Sequence, residues 1–494
     1  MSASEETLTV TIPPAVKHAA YSPTSSSYGS EFSDDTLGDP NEKAFQQKII
    51  SLEQRIEDLE AQLYNRPKRF AWIRYFILDV YRRLFSLVFL ANVGVFIAIM
   101  ITDRKLLALV NATAANLMAC GLARQPLVVN SIFKAVCSIP RSAPLRLRLL
   151  AAKAHHYGGV HSGCGIASLL WYTGFVGMMS REFWSSGQTS PITMPAVVLS
   201  YIILALLLAI IMVAFPTFRV RKHDYFELIH RFSGWLVVAL FVALLFVFCD
   251  DFSKASHQPL GIFLVKLPAF WFLVITVMAI VHPWLLLRKV PVEAEYLSSH
   301  AIRLHFSHTS TSFGKGIQVS THPLRDWHAF ATFPDIDGKG FSSVVSKAGD
   351  WTAACIANPP THLWKRGVLI HGFAYVMRVF QRIIVVTTGS GMGPCLSFLG
   401  DENRPDIRVV WQTRSPLKTY GQGVLDMVAI LDPNAIVIDT DRSARIDMVP
   451  IIRRLVKEHR AEAVCVVSNP VVTTRVVYEL EKTGTPAFGP IFDS

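Results

Sequence analysis

The run Thr387-Thr388-Gly389-Ser390-Gly391-Met392-Gly393-Pro394 is the stretch best equipped for chemistry. It follows an apolar stretch at 383–387 and opens a helix-like one at 394–400. Glycines placed there let the backbone turn sharply and bring N–H groups against a pyrophosphate at a helix N-terminus. The chemistry implied is dinucleotide binding through Gly389, Gly391, Gly393 and Pro394. A tight strand-to-helix turn with no ligand is the plain alternative. After the next strand-like run come Gln412-Thr413-Arg414-Ser415-Pro416-Leu417-Lys418. Arg414 and Lys418 could take a 2′-phosphate, which favours NADPH over NADH; a solvated basic loop is the other reading. The seven cysteines form no CxxC pair, so neither a disulfide framework nor a zinc site is expected.

These residues need positioning elements, and the composition says which. Of the 494 residues 51% are hydrophobic and 17% charged, against about a quarter charged in soluble domains. The deficit sits in long apolar runs. A span needs about 20 apolar residues. Runs at 84–102, 160–179, 194–215, 232–249 and 260–287 qualify, and a sixth at 106–139 is interrupted by Arg124 and Lys134. The expectation is an integral, multi-pass α-helical membrane bundle of about six spans over residues 67–289. Lys and Arg gather before the first span, between the second and third, between the fourth and fifth, and after the last. By the positive-inside rule both termini are then cytosolic. That bias accounts for much of the net charge of +11 without a nucleic-acid partner. Asn111-Ala112-Thr113 is a glycosylation sequon, but it lies too near the membrane to be used.

Two segments precede the bundle. Residues 1–40, rich in Ser, Thr, Pro and acids, read as a disordered tail with no signal peptide. In 41–66, Phe45, Ile49, Leu52, Ile56, Leu59 and Leu63 keep heptad spacing. Either 45–63 is a short coiled coil that pairs protomers into a homo-oligomer, or it is an amphipathic helix packed on the chain's own cytosolic part. Beyond 290 the chain reads as soluble. Short strand-like runs at 292–306, 316–320, 328–333, 342–346 and 351–356 suit a small antiparallel β-barrel over 290–380. Strand-like runs at 383–387, 407–411, 435–438 and 463–468 then alternate with helix-like ones, the pattern of an α/β parallel-sheet domain over 381–494.

Taken together, the chain resembles the ferric reductase/NADPH oxidase superfamily, and within it the fungal TmpA-like integral membrane proteins. The likeness rests on His230-Arg231-Phe232-Ser233-Gly234-Trp235, His328-Ala329-Phe330-Ala331-Thr332-Phe333, Thr388 to Pro394, and the terminal Gly489-Pro490-Ile491-Phe492-Asp493-Ser494. It covers about residues 70–494. The resemblance implies a ferredoxin-reductase-like module in the cytosol, with a barrel that binds FAD and a sheet domain that binds NAD(P)H. It implies flavin contacts from His328, Phe330 and Thr332, with Arg366 at the flavin pyrophosphate. Thr332 stands one place later than the family's threonine, so it would face the opposite side of its strand. A surface arginine is the other reading of Arg366. The family's Cys-Gly turn at the nicotinamide is replaced by Cys465-Val466-Val467-Ser468.

Members with haem carry paired histidines on spans three and five, an inner and an outer one on each. Here His155, His156 and His161 stand at the inner end of span three and His230 at that of span five, with no outer histidine in either. The resemblance therefore implies at most one inner haem, held by His161 and His230, or else two interfacial histidines satisfied by water or carbonyls. Two functions stay open: an oxidoreductase passing electrons from NAD(P)H through FAD to an unknown acceptor, or a nucleotide-binding relative acting as sensor or assembly partner. The resemblance also links the chain to fungal asexual development, conidiation. Spans three to six carry almost no buried charge, which argues against a transporter.

Overall fold

The computed structural model describes residues 67–102, 105–186, 190–335 and 338–491. The expected tail at 1–40 and the heptad segment at 45–63 lie outside the described residues.

Apolar stretches fold into the helices α1 (Val80–Thr102), α2 (Leu106–Leu122), α3 (Pro126–Val136), α4 (Leu145–Ala151), α5 (Gly158–Ser186), α6 (Met194–Ala214), α7 (Pro216–Arg221), α8 (His223–Ala255), α9 (Leu260–Lys266) and α10 (Pro268–Leu285). Among the described residues α1, α6, α8 and α10 are long and apolar enough to cross a membrane, with a fifth span if α2 and α3, bent by 73°, count as one. The expected six thus come down to four or five. The remaining one, α5, has 29 residues but is rich in Gly, Ser and His. It packs against α1, α2 and α6, burying Trp171, Tyr172 and Phe175. A helix packed among other helices needs fewer apolar residues than one with an open face. A Cβ added at Gly159 would lie 2.6 Å from the Tyr81 carbonyl and one at Gly163 3.0 Å from Val88, the close approach that small residues permit between membrane helices. Asn92 Oδ1 accepts from Trp171 Nε1 and Asn116 Nδ2, both at 2.8 Å, and cross-links α1, α2 and α5. The sequon residue Asn111 is engaged, its Oδ1 accepting from Ala269 N at 2.9 Å.

The run at 106–139 is not one straight span. Gln125 ends α2 and starts α3, its Oε1 accepting from Leu127 N at 2.6 Å and Val128 N at 3.0 Å, with Pro126 in the first turn. The bend sends α3 out of the bundle. Its Val129 and Phe133, with Cys137, join the hydrophobic core that also holds Tyr375, Met377, Phe380 and Ile383. Polar bonds fix the wedge. Asn130 Nδ2 donates to Leu369 O at 2.9 Å, and Asn130 Oδ1 accepts from His371 N at 2.7 Å. Arg148 on α4 donates both Nη groups to Glu462, each at 2.7 Å.

Beyond α10 come first two antiparallel sheets. Strands β1 (Arg288–Pro291), β8 (His362–Lys365), β4 (Lys315–Ser320) and β5 (His328–Ala331) form one antiparallel sheet, with β9 (Ile370–His371) also on β4. Strands β2 (Glu293–Ser298), β3 (Ala301–Phe306), β7 (Phe341–Ser346) and β6 (Phe333–Pro334) form the other. Val290, Ile302, Leu304, Ile317, Phe341 and Leu363 meet in a shared core. The run at 351–356, expected as a strand, is a helix, α11 (Asp350–Ala357). Thr352 Oγ1 accepts from Ala348 N at 2.8 Å and Gly349 N at 3.0 Å, capping its start.

After these come β10 (Arg382–Thr388), α12 (Met392–Leu396), β11 (Asp406–Thr413), α13 (Pro416–Leu431), β12 (Ile436–Asp439), α14 (Thr440–Ser443), α15 (Val449–Glu458), β13 (Ala463–Val467), α16 (Pro470–Glu481) and β14 (Ala487–Phe488). The strands pair in parallel in the order β12-β11-β10-β13-β14. The alternating β and α units expected after 381 are therefore present, and strand order reverses at β10, where such sheets place ligands.

His371, on β9 against α3, makes this junction sensitive to acid. It is 3% exposed, its ring lies 3.9 Å from that of Tyr375, and neither nitrogen has a hydrogen-bond partner. Burial first, and then Lys315, Lys134 and Arg378, push its pKa down to about 4. The unfolded chain takes up this proton near pH 6.5, so stability falls as pH drops from about 6.5 to about 4, by up to about 3 kcal/mol. Buried His155, also pushed down to about 4, adds a loss of the same sign. Melting curves should show this loss, and His371→Phe should make it shallower.

Candidate functional site

The parallel sheet and the β2–β3 hairpin enclose a cleft of about 1060 Å³, at the upper end of the range for ligand pockets, ~300–1000 Å³. Its floor is the carboxyl edge of the sheet: Thr388 and Gly389 after β10, Gln412 to Ser415 after β11, Thr440 and Asp441 after β12, and Asn469 after β13. Its far wall is Tyr296 to His300 and Lys347 from the antiparallel sheets. Lys347, Arg414, Lys418 and Arg445 line it against one acid, Asp441. That balance suits a multiply anionic ligand.

The glycine turn is held from beneath. Gly389 has φ +52°, a left-handed conformation that glycine adopts without strain, and its carbonyl accepts from Trp411 Nε1 at 2.9 Å. Thr387 Oγ1 donates to Val467 O at 2.9 Å, and the hydroxyls of Thr388 and Ser468 share a hydrogen bond. These bonds lock β10 to β13 where the strand order reverses. Gly391 has a different duty: any Cβ there would overlap the Val467 carbonyl and Thr387 Oγ1. It permits close packing of turn on strand. At Gly393 a Cβ would meet Val344 at an ordinary 3.8 Å. Helix α12 has only five residues, and Pro394 supplies no N–H.

Of the residues expected at the nucleotide, Gly389, Arg414 and Lys418 line the cleft; Gly391, Gly393 and Pro394 build the turn below it. Arg414 is steered by Asp441, with Nε at 3.2 Å. Asp441 also accepts from Ser415 Oγ at 2.7 Å. Sequence reading missed the hairpin wall, Lys347 and Arg445, which lie far from the turn in the chain. Asn469 carried a signal in Asn469-Pro470, a helix start: its Oδ1 accepts from Val472 N at 3.0 Å.

The residues expected at a flavin do not converge on one cavity. His328 stacks on Trp351 with centroids 4.2 Å apart, and Phe330 stacks on the same indole at 5.7 Å. Trp351 thus covers the ring surface that a flavin would need. Thr332 is fully buried. Its hydroxyl pairs with Thr311 Oγ1 at 2.6 Å and donates to Lys315 O at 3.0 Å. Arg366 lies over Trp284 at 5.1 Å and Trp327 at 4.5 Å and donates to Gln318 at 3.1 Å. Burial and then Arg231 lower its pKa to about 10, so it stays charged and fastens the first antiparallel sheet to α10. These four residues as placed do not fit a flavin.

The membrane histidines separate into two groups. His155 packs on Phe373 at 5.0 Å and on His156 at 4.1 Å, away from His230. The rings of His161 and His230 are neighbours, with centroids 6.2 Å apart and planes tilted by 60°. His161 Nδ1 meets the Cys120 carbonyl at 3.0 Å, whereas His230 Nδ1 is buried without a partner.

The family described as the C-terminal domain of adenylate-forming reductase 03009 matches residues 373–494. Two adenylate-forming reductases of the fungus Coprinopsis cinerea are similar over more of the chain. One, 03009, is 42% identical over 423 residues, 85% of this chain and 41% of that protein. The other, 06235, is 39% identical over 424 residues, again 85% and 41%. The chain thus spans about two fifths of the length of the curated relatives it matches. Among solved structures, a ferredoxin NADP+ reductase from Neisseria gonorrhoeae with bound FAD and NADP is 12% identical. The match covers 42% of this chain and 99% of that one at TM-score 0.34. A phthalate dioxygenase reductase is 13% identical, covering 41% and 67% at TM-score 0.34. Likeness at that level carries no argument about chemistry.

The two glycines of the turn should respond differently to alanine. Gly391→Ala should lower the melting temperature and abolish whatever NADPH binding the protein shows, since the turn cannot close. Gly393→Ala should leave both nearly unchanged. Thermal melts and binding titrations of the two variants check this.

Proposed function

We propose that this chain is a multi-pass membrane protein of reductase type whose cytosolic cleft binds a pyridine dinucleotide, NADPH in preference to NADH. One observation carries the reading: a glycine turn at the reversal point of a parallel sheet opens beside a cleft lined by four cations. Gly389 would bring backbone to the pyrophosphate, while Arg414 and Lys418, with Arg445, would take the 2′-phosphate. The word reductase in the names of both Coprinopsis relatives supports the class. The resemblance to the TmpA-like branch of the ferric reductase/NADPH oxidase superfamily supports it too, with both termini cytosolic.

An NAD(P)H-to-FAD oxidoreductase is the enzymatic form of this proposal, and it needs a flavin seated elsewhere than on His328, Phe330, Thr332 and Arg366 as placed. A second form, a nucleotide sensor or assembly partner, is favoured by the stack of His328, Trp351 and Phe330. Absorbance of the purified protein separates them. A flavin band bleached by NADPH supports the enzyme; no bound or bindable FAD leaves the sensor. A Soret band would assign a haem to His161 and His230.

NADPH should bind about tenfold or more tightly than NADH, because charge-assisted bonds to a phosphate are strong. Arg414→Ala combined with Lys418→Ala should erase that preference while weakening NADH little. Equal affinities in the wild type would sink the 2′-phosphate assignment. Trp351→Ala should bind FAD more tightly than the wild type, since it uncovers Phe330; unchanged affinity would remove Trp351 as the obstacle.

A further inference from the structure

Residues 67–79 lead into α1, yet they show water an unusual surface. Phe70, Trp72, Ile73, Phe76, Ile77 and Leu78 are between 36% and 63% exposed. Trp72 stacks on Phe76 at 6.2 Å, so the apolar face is ordered. Its backbone is pinned as well: Arg82 donates to the carbonyls of Phe76 and Ile77 at 3.3 and 3.2 Å, and Arg83 to that of Leu78 at 2.7 Å. Lys68, Arg69, Arg74, Arg82 and Arg83 stand against one acid in 67–83, Asp79. Glu481 behind the segment accepts from the Ala487 amide at 3.0 Å and lies within electrostatic reach of Lys68 and Arg74, one carboxylate against the five cations.

What covers such a face follows from where it stands. Phe76 is four residues from the start of the span at Val80, so its backbone lies within ~14 Å of that end. Aromatic side chains with a dense set of cations beside a span fit the headgroup layer, where rings sit at the interface and Lys or Arg meets anionic lipid. The opposite side of the segment holds the sheet domain. Lys68 N donates to Lys482 O at 2.8 Å, and Phe76 meets Tyr478 edge-on at 6.3 Å. Tyr478 lies on α16, whose first turns give Val472 to the cleft beside Asn469.

We propose that residues 67–79 form a strap in the cytosolic headgroup layer that binds anionic phospholipid and pins α16, with one wall of the cleft, to the bilayer surface. This rests on the membrane reading and not on the identity of the nucleotide. The test uses the full chain in nanodiscs of phosphatidylcholine, with and without phosphatidylserine, and reads amide exchange. Exchange in 68–78 and in 470–482 should slow about tenfold or more with phosphatidylserine, as basic residues at an anionic surface lead one to expect. Arg69→Glu combined with Arg74→Glu should remove that slowing. Equal exchange of the wild type in the two lipids overturns the proposal even if the variant fails to fold. Equal slowing by inorganic phosphate in phosphatidylcholine discs also overturns it, because the site would then be a soluble anion's. A chain that alkaline carbonate strips from membranes fails at the membrane reading itself, whatever NADPH titrations give.

Discussion

The bidentate pair of Arg148 and Glu462 joins two parts of the chain that composition alone would keep apart. The Arg148 side chain is 5% exposed and that of Glu462 15%. A guanidinium buried this deeply is costly unless its donors are met. Here they are: Glu462 takes both Nη groups, Val379 O a further bond at 3.2 Å, and Ala143 O the Nε at 2.9 Å. Glu462 also accepts from Gln381 N at 2.7 Å, at the entrance to β10. The segment between α3 and α5 is thereby fixed to the first and fourth strands of the parallel sheet. The position of the cleft relative to the apolar helices follows from that fixture.

Much of this fold can be read from sequence because apolar runs and period changes are local signals. The four span helices and the parallel strands carry such signals, and so does the glycine turn. Where the signal is short, or the burial not lipid-facing, the reading drifts. Residues 351–356 are apolar and follow strand-like runs, but Thr352 caps them into a helix. Helix α5 falls short of the others in hydropathy because it faces helices. The bend after α2 needed the combined reading of Gln125 and Pro126 as a helix start.

The site was legible on one side only. Gly389, Arg414 and Lys418 follow strands whose register any parallel sheet would align. The hairpin at 296–300 and Lys347 reach the same cleft only through packing of the antiparallel sheets on the parallel one, which no local pattern encodes. Strand alternation turns Thr332 away from the family's threonine position; in the structure it is buried. The use of Arg366 between two tryptophans had no local signal: Trp284 and Trp327 are distant in the chain.

The passage of α3 into the core of the C-terminal sheets changes what counts as a module here. Composition places a boundary near 290, where the last apolar run ends. Yet Val129, Phe133, Cys137 and Ala152 belong to the same core as Tyr375, Ile383 and Trp411. A water-soluble fragment cut at that boundary would lose the filling of its own interior. It would expose an apolar trough and leave Glu462 without its guanidinium, so it would self-associate or collapse around the void. In folding terms the C-terminal half, made last, is completed by core residues made first.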